Sequence, residues 1–253
     1  MPLVHRHHRP TRADFAALLR LAGPLVLIQV GTMLMGVVDT MIVGRVSPAA
    51  LAAAALAHLY FFAFGMFGVG VLFALDPIVA QGLGAGDELA VRRGLQRGLV
   101  LSVLVAVPVS LALLTVRPML TLVGQPAEIV PAAAGYVYRT VPSVLPFFVF
   151  VVLRQTLQAH HRTAAIVATI VASNLLNAGL NYVLVYGKLG FPGLGLYGSA
   201  WAATASRGFM AAMLLLLGWP HLRPYLRTRA PNLLDARALG RMLRLGAPIG
   251  AQM

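Results

Sequence analysis

The 253-residue chain has no cysteine, seven acidic residues, and charged residues at only 11% of its length. Without cysteine there are no disulfides, no thiolate metal sites and no cysteine nucleophile. Soluble domains carry about 25% charged residues, so this scarcity excludes an ordinary cytosolic enzyme and a charge-rich disordered chain. Motifs of the GxSxG, HExxH and GxxxxGK[ST] types are also missing. The chain is therefore expected not to be an enzyme. What it has is apolar sequence: 59% of residues are hydrophobic and the mean hydropathy is +0.81. Its net charge is nevertheless +13.

A bilayer core about 30 Å thick is crossed by a helix of roughly 20 apolar residues. Six such stretches occur, at about residues 21–44, 49–75, 98–116, 130–153, 164–186 and 199–219. A seventh begins near Met242 and runs to Met253. The expected fold class is all-α: a polytopic membrane protein with a six-helix transmembrane bundle and the start of a seventh helix. Residues 1–20 form a basic tail and the entry to the first span. Residues 21–219 are the six-helix lobe, 220–241 a linker, and 242–253 the first helix of a second lobe. The chain is expected to be part of a longer transporter-like polypeptide.

The basic residues are unevenly distributed. Fifteen fall before span one, between spans two and three, between four and five, and after span six; four fall on the other side, Arg45, Arg117, Arg139 and Lys188. Arg207 lies inside span six. The positive-inside rule then places the N-terminus in the cytoplasm. The bilayer itself, through its anionic headgroups, is the expected partner of the excess charge. No nucleic-acid partner is expected, because the arginines are dispersed over membrane loops. The run His5-Arg6-His7-His8-Arg9 reads as a mobile basic tail, since no acidic partner fixes a metal geometry; no metal site is expected there.

Leu19-Arg20-Leu21-Ala22-Gly23-Pro24 is matched 224 residues later by Leu243-Arg244-Leu245-Gly246-Ala247-Pro248. Both stand at the cytoplasmic entrance of an apolar stretch. An even number of spans between them makes them parallel repeats.

Asp39 lies within span one, and Asp76 at the cytoplasmic end of span two. A charge at the bilayer centre costs about 2.5–3.5 kcal/mol on insertion scales, so Asp39 is the foremost functional candidate and Asp76 a secondary one. Span five carries Asn177 and Asn181, four residues apart on one helical face, with Asn174 one turn earlier. Such amides either join helices, at about 0.6 kcal/mol each, or surround an ion or a protonated acid. Gln29 in span one, and Thr204 and Ser206 in span six, add polar groups. Pro24, Pro108, Pro142 and Pro146 can interrupt helical ladders, with Pro24 the expected bending point. Gln81-Gly82-Leu83-Gly84-Ala85-Gly86 reads as a tight cytoplasmic turn.

Several blocks in order across the chain carry a family resemblance: Val38-Asp39-Thr40-Met41-Ile42-Val43-Gly44, Ala74-Leu75-Asp76-Pro77, Ala80–Asp87, Asn174–Tyr182 and Gly198-Ser199-Ala200-Trp201-Ala202. With Gly23-Pro24 they resemble the N-terminal half of a MATE (multidrug and toxic compound extrusion) transporter. The resemblance implies two six-helix lobes, a central cavity, and export of organic cations across the cytoplasmic (inner) membrane, coupled to H⁺ or Na⁺. It implies no cofactor. It places the chief cation site on Asp39, where Na⁺ is a candidate ligand, and further positions on Asn177 and Asn181. Ala203 stands where the family has a span-six Thr, and Thr204 follows it. The second lobe of the same polypeptide is the implied protein partner. Two other readings remain open: a lipid-linked precursor or polysaccharide flippase of related fold, which needs cationic cavity residues, and a non-transporting membrane scaffold.

Overall fold

The computed structural model describes the backbone of residues 12–253, and side chains from residue 22 onward except Pro24 and Leu25. The basic run at 5–9 lies outside the described residues. The elements are α1 (Arg12–Gly44), α2 (Pro48–Leu72), α3 (Leu75–Gly84), α4 (Glu88–Leu114), α5 (Val116–Leu122), α6 (Val130–Thr140), a 3-10 turn (Val141–Ser143), α7 (Val144–Ala159), α8 (Thr163–Tyr186), α9 (Leu196–Leu226) and α10 (Ala236–Gln252). No strand occurs among the described residues. Among the described residues, six segments are long and apolar enough to cross a membrane: Val26–Gly44, Pro48–Gly84, Glu88–Leu114, Val130–Ala159, Thr163–Tyr186 and Leu196–Leu226. The chain is a multi-pass helical membrane protein.

Local chemistry sets several helix ends. Ser47 accepts a hydrogen bond from the Ala50 amide at 3.0 Å, and Pro48 follows it, so α2 starts with a capped, pre-set turn. Asp87 caps α4 through the Ala90 amide at 2.9 Å. Gly187 closes α8 in the left-handed region, at φ +67°, where a side chain is disfavoured.

Span two is two helices because of Pro77. A proline has no N–H, so the Phe73 carbonyl lacks its usual partner four residues on. It accepts instead from the Asp76 amide at 3.1 Å, and the chain re-enters helix at Leu75. Span four breaks in the same way, at the turn containing Pro142. The backbone stays helical across Pro24 and Pro108, so only some of the membrane prolines interrupt a helix. The expected turn at 81–86 is narrower than anticipated. Helix α3 continues through Gly84, and only Gly86 takes a positive φ, +67°.

Span four sits at the centre of the bundle. Helix α6 packs on α2 and α9, and α7 on α9 and α4. Around it, α1 lies between α8 and α2, and α8 lies against α9. The region after span six also departs from expectation. Helix α9 continues to Leu226, and α10 begins at Ala236, capped by Asp235 accepting from the Arg237 amide at 2.9 Å. Residues 236–241, expected in the linker, and the seventh apolar stretch thus form one continuous element. It packs against α2 through glycines: a side chain at Gly70 would collide with the Gly250 backbone, and one at Gly246 with the Val71 carbonyl.

Candidate functional site

The α1–α8 pair builds the site. Three contacts stitch the two helices along their length. The Asn174 amide donates to the Gly31 carbonyl at 2.9 Å. The Asn181 amide donates to the Asp39 carboxylate at 2.7 Å. The Tyr186 hydroxyl donates to the Ile42 carbonyl at 3.2 Å. Gly31 allows the close approach at the first contact, since a Cβ there would collide with Ile170.

Asp39 is 2% exposed, and Asn177 and Asn181 are 0% exposed. Asn181 also donates to the Asn177 backbone carbonyl at 3.0 Å. Both side-chain polar atoms of Asn177 and the Asn181 amide oxygen have no hydrogen-bond partner among the described residues. Buried polar groups are nearly always paired. Unpaired amide oxygens beside a carboxylate are therefore notable: they are the oxygen donors a small cation or a protonated acid requires.

Asp39 borders a cavity of about 410 Å³. Its walls are largely apolar and adaptable. Phe61, Phe62 and Phe147 supply aromatic faces, and Met33, Met66 and Met210 supply thioethers. Gln29 and Asn174 are the other polar candidates that line it. Pockets of this size with a few convergent polar groups suit small molecules.

The remaining candidates lie elsewhere. Thr204 turns away, donating to the Arg139 carbonyl at 2.8 Å, and Ala203 is buried. Asp76 is exposed at the start of α3 and is not part of the cavity wall. The side chain of Pro24 lies outside the described residues.

Two ionisable wall residues were not among the sequence candidates for the cation site. His58 lines the cavity, and its Nε2 lies 2.8 Å from the buried Tyr136 hydroxyl. Arg207 lines it as well, with its guanidinium 4.3 Å from the Phe61 ring centre and donating to the Ser143 hydroxyl at 3.0 Å. The signal was present for both: each is an ionisable residue inside an apolar stretch, the pattern that singled out Asp39. Among the described residues no group of three or more His, Cys, Asp or Glu side chains is placed to hold a metal.

The MatE family profile matches residues 24–183. The chain is 34% identical over 244 residues to a probable multidrug resistance protein NorM of Bradyrhizobium diazoefficiens, covering 95% of this chain and 52% of that protein. It is 30% identical over 256 residues to the multidrug resistance protein NorM of Vibrio parahaemolyticus, covering 99% and 54%. The crystal structure of the eukaryotic MATE transporter AtDTX14 superposes with a TM-score of 0.82 at 24% identity, covering 92% of this chain and 52% of that one. The fold is thus one lobe of a MATE-type transporter. This chain belongs to the MatE family, a family of multidrug efflux transporters. It spans about half the length of the curated relatives it matches.

Proposed function

We propose that the protein forms the N-terminal lobe of an antiporter that exports organic cations across the cytoplasmic membrane, driven by inward H⁺ or Na⁺. The N-terminus and the arginine-rich loops face the cytoplasm. The observation that carries this reading is the buried Asp39 carboxylate, held by Asn181 at the edge of an aromatic- and methionine-lined cavity. An organic cation gains from both parts of that site: the carboxylate offsets its charge, and the rings and thioethers bury its apolar body.

In this mechanism a proton arriving from outside neutralises Asp39. Alternatively, Na⁺ binds it together with the amide oxygens of Asn177 or Asn181. Either event removes the anion that holds the drug. Span one then shifts, with Pro24 as its bending point, and the two lobes rock between outward- and inward-facing states. One charge moving down 100 mV releases about 2.3 kcal/mol, enough for roughly a fifty-fold drug gradient. The transporting unit includes a second lobe, whose first helix is α10. Thr204 and Asp76 take supporting roles, Thr204 in packing and Asp76 near the cytoplasmic surface.

A flippase for lipid-linked precursors has less support, because a phosphate carrier needs several cavity cations and Arg207 is the one arginine or lysine on this wall among the described residues.

The test is dye efflux by the natural polypeptide that carries this chain, wild type against Asp39→Asn, with H⁺ and Na⁺ gradients imposed separately. The expected result is loss of efflux in the variant and dependence of the wild type on one gradient. Undiminished efflux from Asp39→Asn would overturn the assignment.

A further inference from the structure

A second pocket, of about 270 Å³, opens at the end of the bundle where α2, α6 and α9 begin. It shares no residue with the Asp39 cavity. Ile129, Ala132, Leu194 and Leu196 make most of its wall apolar, while Glu128 and Tyr197 add a carboxylate and an aromatic ring. Glu128 is exposed and stands just before α6.

A cation rests on that ring. Arg139, near the end of α6, holds its guanidinium 3.9 Å from the Tyr197 ring centre. It belongs to the fourth span, Val130–Ala159. Its Nη1 donates to the Gly135 carbonyl at 2.7 Å, one turn back towards the start of the helix. A long cationic side chain bent in this way snorkels: its stem stays at membrane depth while its head reaches for the interface. Gly135 leaves room for the ring, since a Cβ there would collide with Tyr197. The guanidinium therefore stands at the level of Gly135, seven residues from Glu128, which is roughly 10 Å at helical rise. The cation is the deeper of the two charges, and the carboxylate is nearer to water. Trp201 follows Tyr197 by four residues, on the same face of α9, and is exposed. An apolar track thus runs inward from the pocket.

We propose that this pocket binds a phospholipid with a primary-amine headgroup, its phosphate on Arg139 and its ammonium on Glu128. In such a lipid the phosphate adjoins the glycerol and the ammonium lies further out, which is the order in which the two side chains stand. Their separation matches a phosphoethanolamine group with a hydrogen bond at each end. The acyl chains then lie over Trp201, at the depth where aromatic belts meet the bilayer. An anionic headgroup without an amine would bring its charge to Glu128 with nothing to offset it. A quaternary ammonium has no N–H to give that carboxylate, and the face of Tyr197 that would attract it already carries Arg139. The site is separate from Asp39 and stands whether or not the transport mechanism above does.

The test is native mass spectrometry of the natural polypeptide that carries this chain, purified in detergent. It is titrated with dioleoyl phosphatidylethanolamine, phosphatidylcholine and phosphatidylglycerol. Wild type is expected to bind the ethanolamine lipid roughly tenfold more tightly than either of the others, the size of one charge-assisted contact. In Glu128→Gln that preference disappears. In Arg139→Gln the ethanolamine and choline lipids both weaken, because both carry the phosphate. A wild type with no preference for the ethanolamine lipid overturns the proposal, as does a preference unchanged in Glu128→Gln or lipid binding unchanged in Arg139→Gln. Should Arg139→Gln fail to fold, Glu128→Gln decides the matter, since that side chain is exposed. Soluble glycerophosphoethanolamine at the same concentration is expected not to displace the lipid. Displacement would make the free headgroup the ligand and overturn the lipid as occupant.

Discussion

The Asn181 amide donates to the Asp39 carboxylate at 2.7 Å, linking α8 to α1 inside the bundle with both side chains almost wholly buried. Replacing Asn181 by Leu removes the donor and leaves the carboxylate without a partner. Hydrogen bonds to charged groups contribute about 1.5–3 kcal/mol. We expect Asn181→Leu to lower stability by about that amount, read as a fall in the thermal unfolding midpoint of the purified protein in detergent. A midpoint equal to wild type would show that the pair does not join the helices.

Gln96 fastens the segment that follows span six. Its amide donates to the Tyr225 and Thr228 carbonyls at 2.6 and 2.8 Å, and its oxygen accepts from the Ala230 amide at 2.9 Å. In Gln96→Leu these backbone groups lose their partners. Local opening of the segment should become easier by about 2–3 kcal/mol, on the basis of roughly 1 kcal/mol for each bond. Trypsin cleavage after Arg227 and Arg229 should then accelerate roughly thirty-fold or more. Cleavage at the wild-type rate would mean that other contacts hold the segment.

Helix α10 lies on α2 with backbone against backbone, at Gly70 and Gly250 and at Gly246 and Val71. Gly70→Val places a branched side chain where another backbone runs. Overpacking typically costs about 1–3 kcal/mol, and here neither backbone can yield without moving a helix. We expect crosslinking between cysteines introduced on exposed faces of α2 and α10 to fall in Gly70→Val. Retained crosslinking would place the helices together for some other reason.

The His58 Nε2 and Tyr136 hydroxyl lie 2.8 Å apart, and Tyr136 is 1% exposed. Tyr136→Phe keeps the ring and deletes the hydroxyl. The expected cost is about 1–3 kcal/mol for an unsatisfied buried partner, measured by thermal unfolding. Adding His58→Phe should recover part of it, because two apolar groups no longer need each other's hydrogen bond. Strictly additive losses in the double variant would argue against the coupling.

Much of the architecture was legible in one dimension because the bilayer imposes a simple rule. A spanning segment must satisfy its own backbone hydrogen bonds and be about 20 apolar residues long, so the six spans could be read from composition and length. Asp39 stood out for the same reason: a charge at membrane depth has to be compensated. The helix starts at Ser47-Pro48 and Asp87 were also local chemistry, set by a side chain within three residues of the amide it caps.

Other features depend on which residues meet across helices, and no local pattern encodes that. Asn174, Asn177 and Asn181 share one face of α8, yet packing gives them different fates. Asn181 is joined to Asp39, Asn174 to the Gly31 carbonyl, and the Asn177 side chain has no hydrogen-bond partner among the described residues. Thr204, one place from the family position, points to Arg139 and away from the cavity. Pro142 and Pro77 coincide with helix breaks while the backbone remains helical across Pro108, although each removes the same amide. Whether a missing bond becomes a break depends on what neighbouring helices pack against it. The membrane class, the spans and the intramembrane acid could be read in one dimension, because they follow from solvation. Only the tertiary structure brought Arg207 and Asp39 to one cavity, because that meeting depends on how the ridges and glycine gaps of separate helices fit together.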